Sequence, residues 1–172
     1  MHRFLLLTGM IAAAVASKFI PHPANFAPIG AIALFAGAHF QSARTAFIVP
    51  LAALLVGDLI SGLHPLIPLV YGCFALNVVL GFWIKRHQST ARTITATFIG
   101  AVVFFLVTNF GSWLAFDTFA KTAPGLLACY AAGLPYFINS LLGDFFYVAV
   151  LFGAVAIAEA KFPTLRRAEV AL

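Results

Sequence analysis

The stretch TAFIVPLAALLVGDLISGL, residues 45–63, is apolar over almost its whole length and carries a single charged residue, Asp58. A helix crosses the hydrocarbon core of a bilayer with about 20 mostly apolar residues, and this stretch has that length. An ionisable side chain inside such a helix is costly unless it is paired or hydrated, so it indicates a functional site. A second Gly-Asp pair, Gly143-Asp144, occurs in the last apolar stretch of the chain. The sequence therefore predicts membrane-spanning helices in which two carboxylates, Asp58 and Asp144, are candidates for a functional site.

The composition indicates the same class of protein. The 172 residues are 63% hydrophobic and 9% charged, against roughly 45–50% and 25% in soluble globular chains. A soluble chain of this length has no way to bury so much apolar surface, which predicts an integral membrane protein in contact with the lipid bilayer. The net charge of +5 then bears on orientation in the membrane, and nucleic acid is not an expected partner.

Apolar stretches long enough to be spans, or nearly so, divide the chain into six segments: about 4–20, 26–40, 45–63, 66–84, 93–116 and 134–158. Backbone groups in lipid must be satisfied within the segment, and the period-two alternation of a barrel is absent, so these segments are predicted to be helices. We expect one all-α transmembrane domain over residues 1–172. Between the fifth and sixth segments, residues 126–131 could form an interfacial or re-entrant helix.

The first segment has two interpretations. Arg3, the apolar run after it and the small residues before Ser17 also fit a cleavable signal peptide, which would remove residues 1–16. In the other interpretation the segment is retained, and Ala12 and Ala16 form a small-xxx-small packing face with Gly9 one turn earlier.

The distribution of Lys and Arg predicts the orientation. With six spans and a cytoplasmic N-terminus, eight of the ten fall on the inner side: Arg3, Arg44, Lys85, Arg86, Arg92, Lys161, Arg166 and Arg167. Only Lys18 and Lys121 fall on the outer side. Because cytoplasmic segments of membrane proteins are enriched in Lys and Arg, both termini are predicted to be cytoplasmic.

Polar side chains collect in the outer halves of the predicted helices. Asn77 lies on the fourth helix and Asn109 on the fifth. On the sixth, the polar and small residues recur at helical spacing along one face: Tyr136, Asn139, Ser140, Gly143, Asp144 and Tyr147. A polar face inside lipid must meet protein or water. The outer half is therefore predicted to hold either a polar cavity or a polar core whose groups satisfy one another.

Each of these residues also has a structural interpretation. The asparagines and tyrosines can hydrogen-bond between helices without touching a ligand. Asp58 can reach lipid headgroups or cap the turn at residues 61–65, and Asp144 can pair with an asparagine or tyrosine of its own face. Cys73 and Cys129 are expected to behave as small apolar residues. The sequence has no P-loop, HExxH or GxSxG motif, so no enzymatic activity is expected.

The chain resembles an uncharacterised family of bacterial membrane proteins in motifs spread over nearly its whole length: PHPANFAPIGAIALFAGA (21–38), VYG (70–72), TNFG (108–111), CY (129–130) and NSLLGD (139–144). That family in turn resembles the substrate-binding S components of energy-coupling-factor (ECF) vitamin transporters, in its six short helices, its size and its loop layout. The resemblance implies a protein of the bacterial cytoplasmic membrane that captures a vitamin-like solute from outside, without a cofactor of its own.

The resemblance also implies how the solute would be passed on. S components hold their ligand under the first and fifth loops and topple on an ECF-type transmembrane partner that works with ATPases. Their first helix carries an AxxxA contact for that partner, which Ala12 and Ala16 match. Lid residues are then expected in the outer segments, at His22, Asn25 and Tyr130.

We therefore predict an outward-open binding site whose ligand contacts come from helices three to six: Asp58, Asn77, Asn109, Tyr136, Asn139 and Asp144. No resident metal is expected, although a corrinoid ligand whose cobalt is reached by Cys73 is a variant of this hypothesis. The rival hypothesis is a stand-alone proton-linked transporter or channel, in which Asp144 and Asp58 relay protons.

Overall fold

A computed structural model describes residues 2–17 and 20–166, and the regular structure of these residues is entirely helical. The helices are α1 (His2–Ser17), α2 (Ile29–His39), α3 (Ala43–Ser61), α4 (Ile67–Arg86), α5 (Thr90–Ala115) and α6 (Ala123–Lys161), followed by a 3-10 turn at Pro163–Leu165. Lys18 and Arg167, which enter the predicted charge distribution, lie outside the described residues.

Four of the described helices, α3 to α6, are long and apolar enough to cross a membrane. The all-α part of the prediction is therefore confirmed for the described residues, and four long apolar helices, not the six spans predicted, support an embedding in the membrane. The two remaining helices are apolar but shorter, with 16 residues in α1 and 11 in α2. At 1.5 Å per residue α2 is about 16 Å long, roughly half the thickness of the hydrocarbon core.

The largest difference from the predicted boundaries concerns α6. Residues 126–131 are not a separate interfacial or re-entrant helix but part of α6, which runs unbroken for 39 residues. The helix begins at Ala123 because the Thr122 hydroxyl accepts a hydrogen bond from the Gly125 N–H, and because the proline in the first turn has no N–H that would need an acceptor. α5 likewise begins at Thr90, three residues before the predicted start, where Ser89 caps the Arg92 N–H.

The centre of the bundle is α2, which packs against each of the other five helices. Its sequence, IGAIALFAGAH, has no polar face, and all 11 residues are buried. A helix that is apolar all round is stable only where neighbours enclose it. The core is therefore arranged around a short helix that ends inside the protein at both termini.

Two glycines set the closest helix contact. A methyl group on Gly81 of α4 would lie 2.7 Å from the Gly37 Cα of α2, and one on Gly37 would lie 2.9 Å from the Gly81 Cα. Such overlap means that the two backbones touch at this crossing, as small residues allow between helices in membranes.

The ends of the helices define a basic end of the molecule, where α1, α3 and α5 begin and α2, α4 and α6 end. Arg3 of α1 pairs there with Glu159 of α6 and lies 3.5 Å from the Nδ1 atom of His39, the last residue of α2. Lys85 donates to the Phe40 carbonyl at 2.6 Å, between α4 and the end of α2. Arg3 and Lys85, both predicted on the cytoplasmic side, thus lie at the same end of the bundle.

Candidate functional site

Two adjoining cavities lie toward the end of the bundle opposite to the basic end. We call them the Asp144 cavity, of about 100 Å³, and the Tyr136 cavity, of about 160 Å³, after a residue that lines each. Four residues line both: Asn25, Ala101, Phe104 and Ser140. The cavities are therefore continuous, and residues of α4, α5, α6 and the loop before α2 enclose them.

The Asp144 cavity contains the buried carboxylate that the sequence singles out. Asp144 is half-buried, and it accepts a hydrogen bond from the backbone N–H of Ala31, in the first turn of α2. Pro28 precedes α2 without a side-chain cap, so the helix N-terminus has donors to be satisfied from elsewhere. Gly30 makes room for this contact, because a methyl group there would overlap the carboxylate, 2.8 Å from Oδ2.

Asn77 of α4 is the second polar group of the Asp144 cavity. Its side chain is 2% exposed, and its Oδ1 atom has no hydrogen-bond partner in the part of the chain that the structure describes. The amide rests against Gly100 of α5, where any larger residue would overlap it. A buried acceptor without a donor is costly, so this amide is a candidate ligand contact.

The Tyr136 cavity contains Asn109 of α5 and Tyr136 of α6. Asn109 donates through Nδ2 to the Phe105 carbonyl of its own helix at 2.8 Å, and its amide lies against Gly133. Tyr136 is 52% exposed, which leaves its hydroxyl accessible. Hydroxyl and aromatic side chains complete the lining: Thr108, Ser112, Phe104, Phe105 and Phe137.

The loop before α2 contributes one of the predicted lid residues directly. Asn25 adopts a positive φ of 62° in a turn and lines both cavities. Asn139 holds this loop, because its Nδ2 donates to the Ala24 carbonyl at 3.0 Å. Gly143 lets the loop approach α6, since a methyl group there would lie 3.1 Å from the Ala27 nitrogen. Asn139 therefore positions the loop and does not line either cavity.

The remaining predicted residues lie elsewhere. Asp58 is 8% exposed and interacts with Tyr71 of α4, although its Oδ2 and the Tyr71 hydroxyl oxygen have no partner at hydrogen-bonding distance in the described residues. Tyr130 donates to the Leu106 carbonyl at 2.8 Å. His22 lies with Nδ1 2.9 Å from the Pro23 carbonyl. Neither Asp58 nor these two lid candidates lines the two cavities.

The other residues with predicted roles are on the outside of the site or buried in packing. Ala12 and Ala16 are exposed on α1, whose buried face carries Leu7, Ile11 and Ala14. Cys73 is a free, buried thiol that lines neither cavity. Within residues 2–17 and 20–166, no group of three His, Cys, Asp or Glu side chains is placed to hold a metal ion.

Sequence reasoning missed the partner of Asp144 and most of the aromatic lining. The carboxylate meets the backbone of α2, not a polar side chain of its own helix face. Phe137 is not among the residues of the predicted polar face, yet it lines the Tyr136 cavity beside Phe105, with ring centroids 4.8 Å apart. Pro28 is the feature of the sequence that indicates this contact. It precedes α2 and cannot cap the helix with its side chain, so another group must accept from the first N–H groups.

A larger cavity is at the basic end. It has a volume of about 530 Å³, lies between α5 and α6, and is bordered by His39 and Glu159. Most of its depth is apolar, with Val148, Phe152 and Ile94 in the wall. We place the candidate site in the two smaller cavities because the buried carboxylate and the unpaired amide oxygen, which need polar partners, are there.

These features define a membrane-embedded, all-helical protein with a polar cavity beside the N-terminus of a buried half-length helix. The chain belongs to DUF6580, a family of unknown function whose model matches residues 1–165. A search of curated proteins gives no match, and neither does a search of solved structures.

Proposed function

We propose that this protein binds a small, vitamin-like solute in the joined Asp144 and Tyr136 cavities and serves its uptake across the bacterial cytoplasmic membrane, like an ECF S component. The observation that carries the proposal is the convergence of polar groups from four elements on one space. Asn77, Asn109, Tyr136 and Asp144 come from three helices, and Asn25 comes from the loop before α2. A small number of convergent polar groups in an otherwise apolar cavity is the usual composition of a ligand site.

In this proposal all six helices lie in the membrane, with both termini cytoplasmic and the two cavities toward the outside. The function is binding, without a catalytic step. The loop before α2 covers the solute, with Asn25 against it and His22 beside it. Asp144 and Asn77 hold its deepest polar groups, and the phenylalanines pack on its skeleton.

The energy for release comes from other proteins, because the chain has no nucleotide-binding motif. An ECF-type transmembrane partner with its ATPases would supply it. Ala12 and Ala16 support a docking role for α1, since both are exposed while the opposite face of the helix packs on the bundle.

The experiment is equilibrium dialysis of the full chain in nanodiscs against a defined mixture of water-soluble vitamins and their precursors, with mass spectrometry of the bound fraction. Ser140→Leu is the test variant, because Ser140 lines both cavities and a leucine there fills their junction. Ala132→Leu is the matched control, because Ala132 is an exposed residue of the same helix.

We expect wild type and Ala132→Leu to enrich the same compound and Ser140→Leu to lose it. The proposal is overturned if wild type enriches nothing, or if Ser140→Leu retains the compound with unchanged affinity.

A second candidate function is a stand-alone proton-linked transporter or channel, and the cavity at the basic end favours it. Asn77 lines the Asp144 cavity and Ile84 lines the basic-end cavity, seven residues along α4. These two residues are about 10 Å apart along the helix. Proteoliposomes that contain only this protein and a trapped pH dye test it: proton-coupled uptake by wild type, absent in Asp144→Asn, is the expected result of this candidate.

A further inference from the structure

The lining of the joined cavities has one sign of charge. Its polar groups are amides, hydroxyls and the Asp144 carboxylate, and none of the lining residues is a lysine, arginine or histidine. Two of the described basic residues have acidic partners outside the cavities: Arg3 pairs with Glu159, and Lys121 lies 3.7 Å from Asp117. An anionic solute would therefore meet a carboxylate without a compensating cation.

The carboxylate also has unused capacity. A carboxylate offers two oxygens with about four acceptor sites, and the contact that Asp144 makes in the described residues is the single N–H of Ala31. The N-terminus of α2 stabilises negative charge at this position, because the helix dipole is positive there. Asp144 takes part in neither of the two ion pairs described, Arg3–Glu159 and Lys121–Asp117. Asp144 thus presents further acceptor sites to the cavity.

The neighbouring groups complement a donor. The Oδ1 atom of Asn77 is a second acceptor without a partner in the described residues. Phe74 and Phe104 line the same cavity with ring centroids 5.4 Å apart. The faces of aromatic rings attract cations, and more strongly where water is excluded.

The volumes restrict the size of the ligand. The two parts measure about 100 and 160 Å³, below the range of about 300–1,000 Å³ for pockets that hold drug-sized molecules. A compact molecule fits this space, and a nucleotide or a corrinoid does not.

We infer that the solute is a compact organic cation, an amine or a protonated nitrogen heterocycle, whose charged nitrogen contacts Asp144 and whose carbon skeleton lies against Phe74 and Phe104. This inference rests on the proposed function, in which the joined cavities bind a solute, and it names the chemical class of that solute.

The test uses three probes of nearly the same shape and different charge: benzylamine, benzyl alcohol and benzoate. Each is titrated against the full chain in nanodiscs of uncharged lipid, and the rise in thermal unfolding midpoint gives the apparent affinity. We expect benzylamine to bind about tenfold to a hundredfold more tightly than benzyl alcohol. This ratio corresponds to the free energy that a hydrogen bond to a charged group contributes. Benzoate is expected to give no shift. This comparison needs no variant.

Two variants locate the effect. Asp144→Asn keeps an acceptor for the Ala31 N–H and loses the charge, so the preference for benzylamine over benzyl alcohol is expected to disappear. Asp58→Asn removes a buried carboxylate outside the cavities, and the preference is expected to remain. The inference is overturned if benzoate binds as well as benzylamine, or if the preference survives in Asp144→Asn.

The dialysis experiment separates this inference from the proposed function. If wild type enriches a neutral or anionic compound that Ser140→Leu does not, the proposed function stands and the cation inference is wrong. If wild type enriches no compound and binds none of the three probes, both are wrong.

Discussion

Asp144 caps α2 from a neighbouring helix. The N-terminus of a helix buried away from water leaves backbone donors that only protein groups can satisfy. Pro28 has no side chain able to do so, and the carboxylate of α6 accepts the Ala31 N–H instead. This contact explains how a half-length helix can begin inside the bundle, and it gives Asp144 a structural role besides the proposed ligand contact.

Substitutions of Asp144 should separate the loss of a cap from the loss of charge. Asp144→Ala leaves the Ala31 N–H without an acceptor, and we expect the free energy of unfolding to fall by about 1–2 kcal/mol, as for other lost caps. Asp144→Asn retains an amide oxygen and should lose less. Thermal unfolding in nanodiscs measures both.

Asp117→Ala is the control for this pair, because Asp117 is fully exposed in the loop before α6 and should change stability by no more than about 0.5 kcal/mol. Equal losses in Asp144→Ala and Asp144→Asn would show that the charge, and not the hydrogen bond, holds α2.

The sequence predicts part of the site for a clear physical reason. Asn77, Asn109, Tyr136 and Asp144 are polar residues inside apolar segments. Such residues face protein or water and not lipid, whatever the arrangement of the helices. Their convergence on one cavity depends in addition on how each helix is rotated. The 3.6-residue period gives the face of a helix but not the neighbour that this face meets. Asp58, predicted as a ligand contact, interacts with Tyr71 outside the cavities for this reason.

At the scale of the helix, α2 shows what the apolar pattern can and cannot predict. Its short apolar run, without a polar face, is typical of a buried helix, and the structure encloses it on all sides. The extent of α6 was not predictable in the same way. The sixth segment is predicted to start at about residue 134, yet the helix starts at Ala123 and continues through Pro135. A single missing hydrogen bond is tolerated where neighbouring helices support the backbone.

The contact between α2 and α4 should be sensitive to one methyl group. Gly81→Ala forces the two backbones apart at Gly37, and we expect a loss of about 1–3 kcal/mol, as for other overpacked sites. Gly72→Ala is the matched control in the same helix, because nothing lies within 4 Å of a methyl group there. Removing an exposed helical glycine should leave stability unchanged or raise it by up to about 1 kcal/mol.

Thermal unfolding of the two variants in the same nanodiscs gives the comparison. A Gly81→Ala protein as stable as Gly72→Ala would contradict a tight crossing of α2 and α4 at this point.

At the scale of the molecule, the first and last helices are tied together at the basic end. Arg3 of α1 pairs with Glu159 near the end of α6 and also donates to the Leu165 carbonyl at 2.7 Å. Both side chains are mostly buried, with 16% and 28% exposed. This pair therefore adds to the buried face of α1, with Leu7, Ile11 and Ala14, in attaching the helix to the bundle.

We expect Glu159→Gln to destabilise the protein by about 1–3 kcal/mol, because it leaves a largely buried guanidinium without its anion. In a double-mutant cycle, Arg3→Gln in the Glu159→Gln background should cost less than Arg3→Gln alone. Thermal unfolding measures the coupling, and strictly additive effects would show that the pair contributes nothing to stability.

The orientation of the whole bundle decides whether the joined cavities face the outside. Eight basic residues predict a cytoplasmic basic end. Single cysteines on exposed loop residues report it: Gln88→Cys lies at the basic end, and Thr118→Cys lies in the loop before α6 at the opposite end. The native cysteines, Cys73 and Cys129, are buried, so the wild type serves as the background control.

In intact cells, a membrane-impermeant maleimide should label Thr118→Cys and leave Gln88→Cys unlabelled, and permeabilised cells should show both labelled. The reverse pattern would place the joined cavities on the cytoplasmic side. A protein that captures a solute from outside needs its cavity open to the outside, so that result would contradict the uptake proposal. The stand-alone transporter would then be the better explanation of the Asp144 cavity and the basic-end cavity, whose lining residues on α4 are about 10 Å apart.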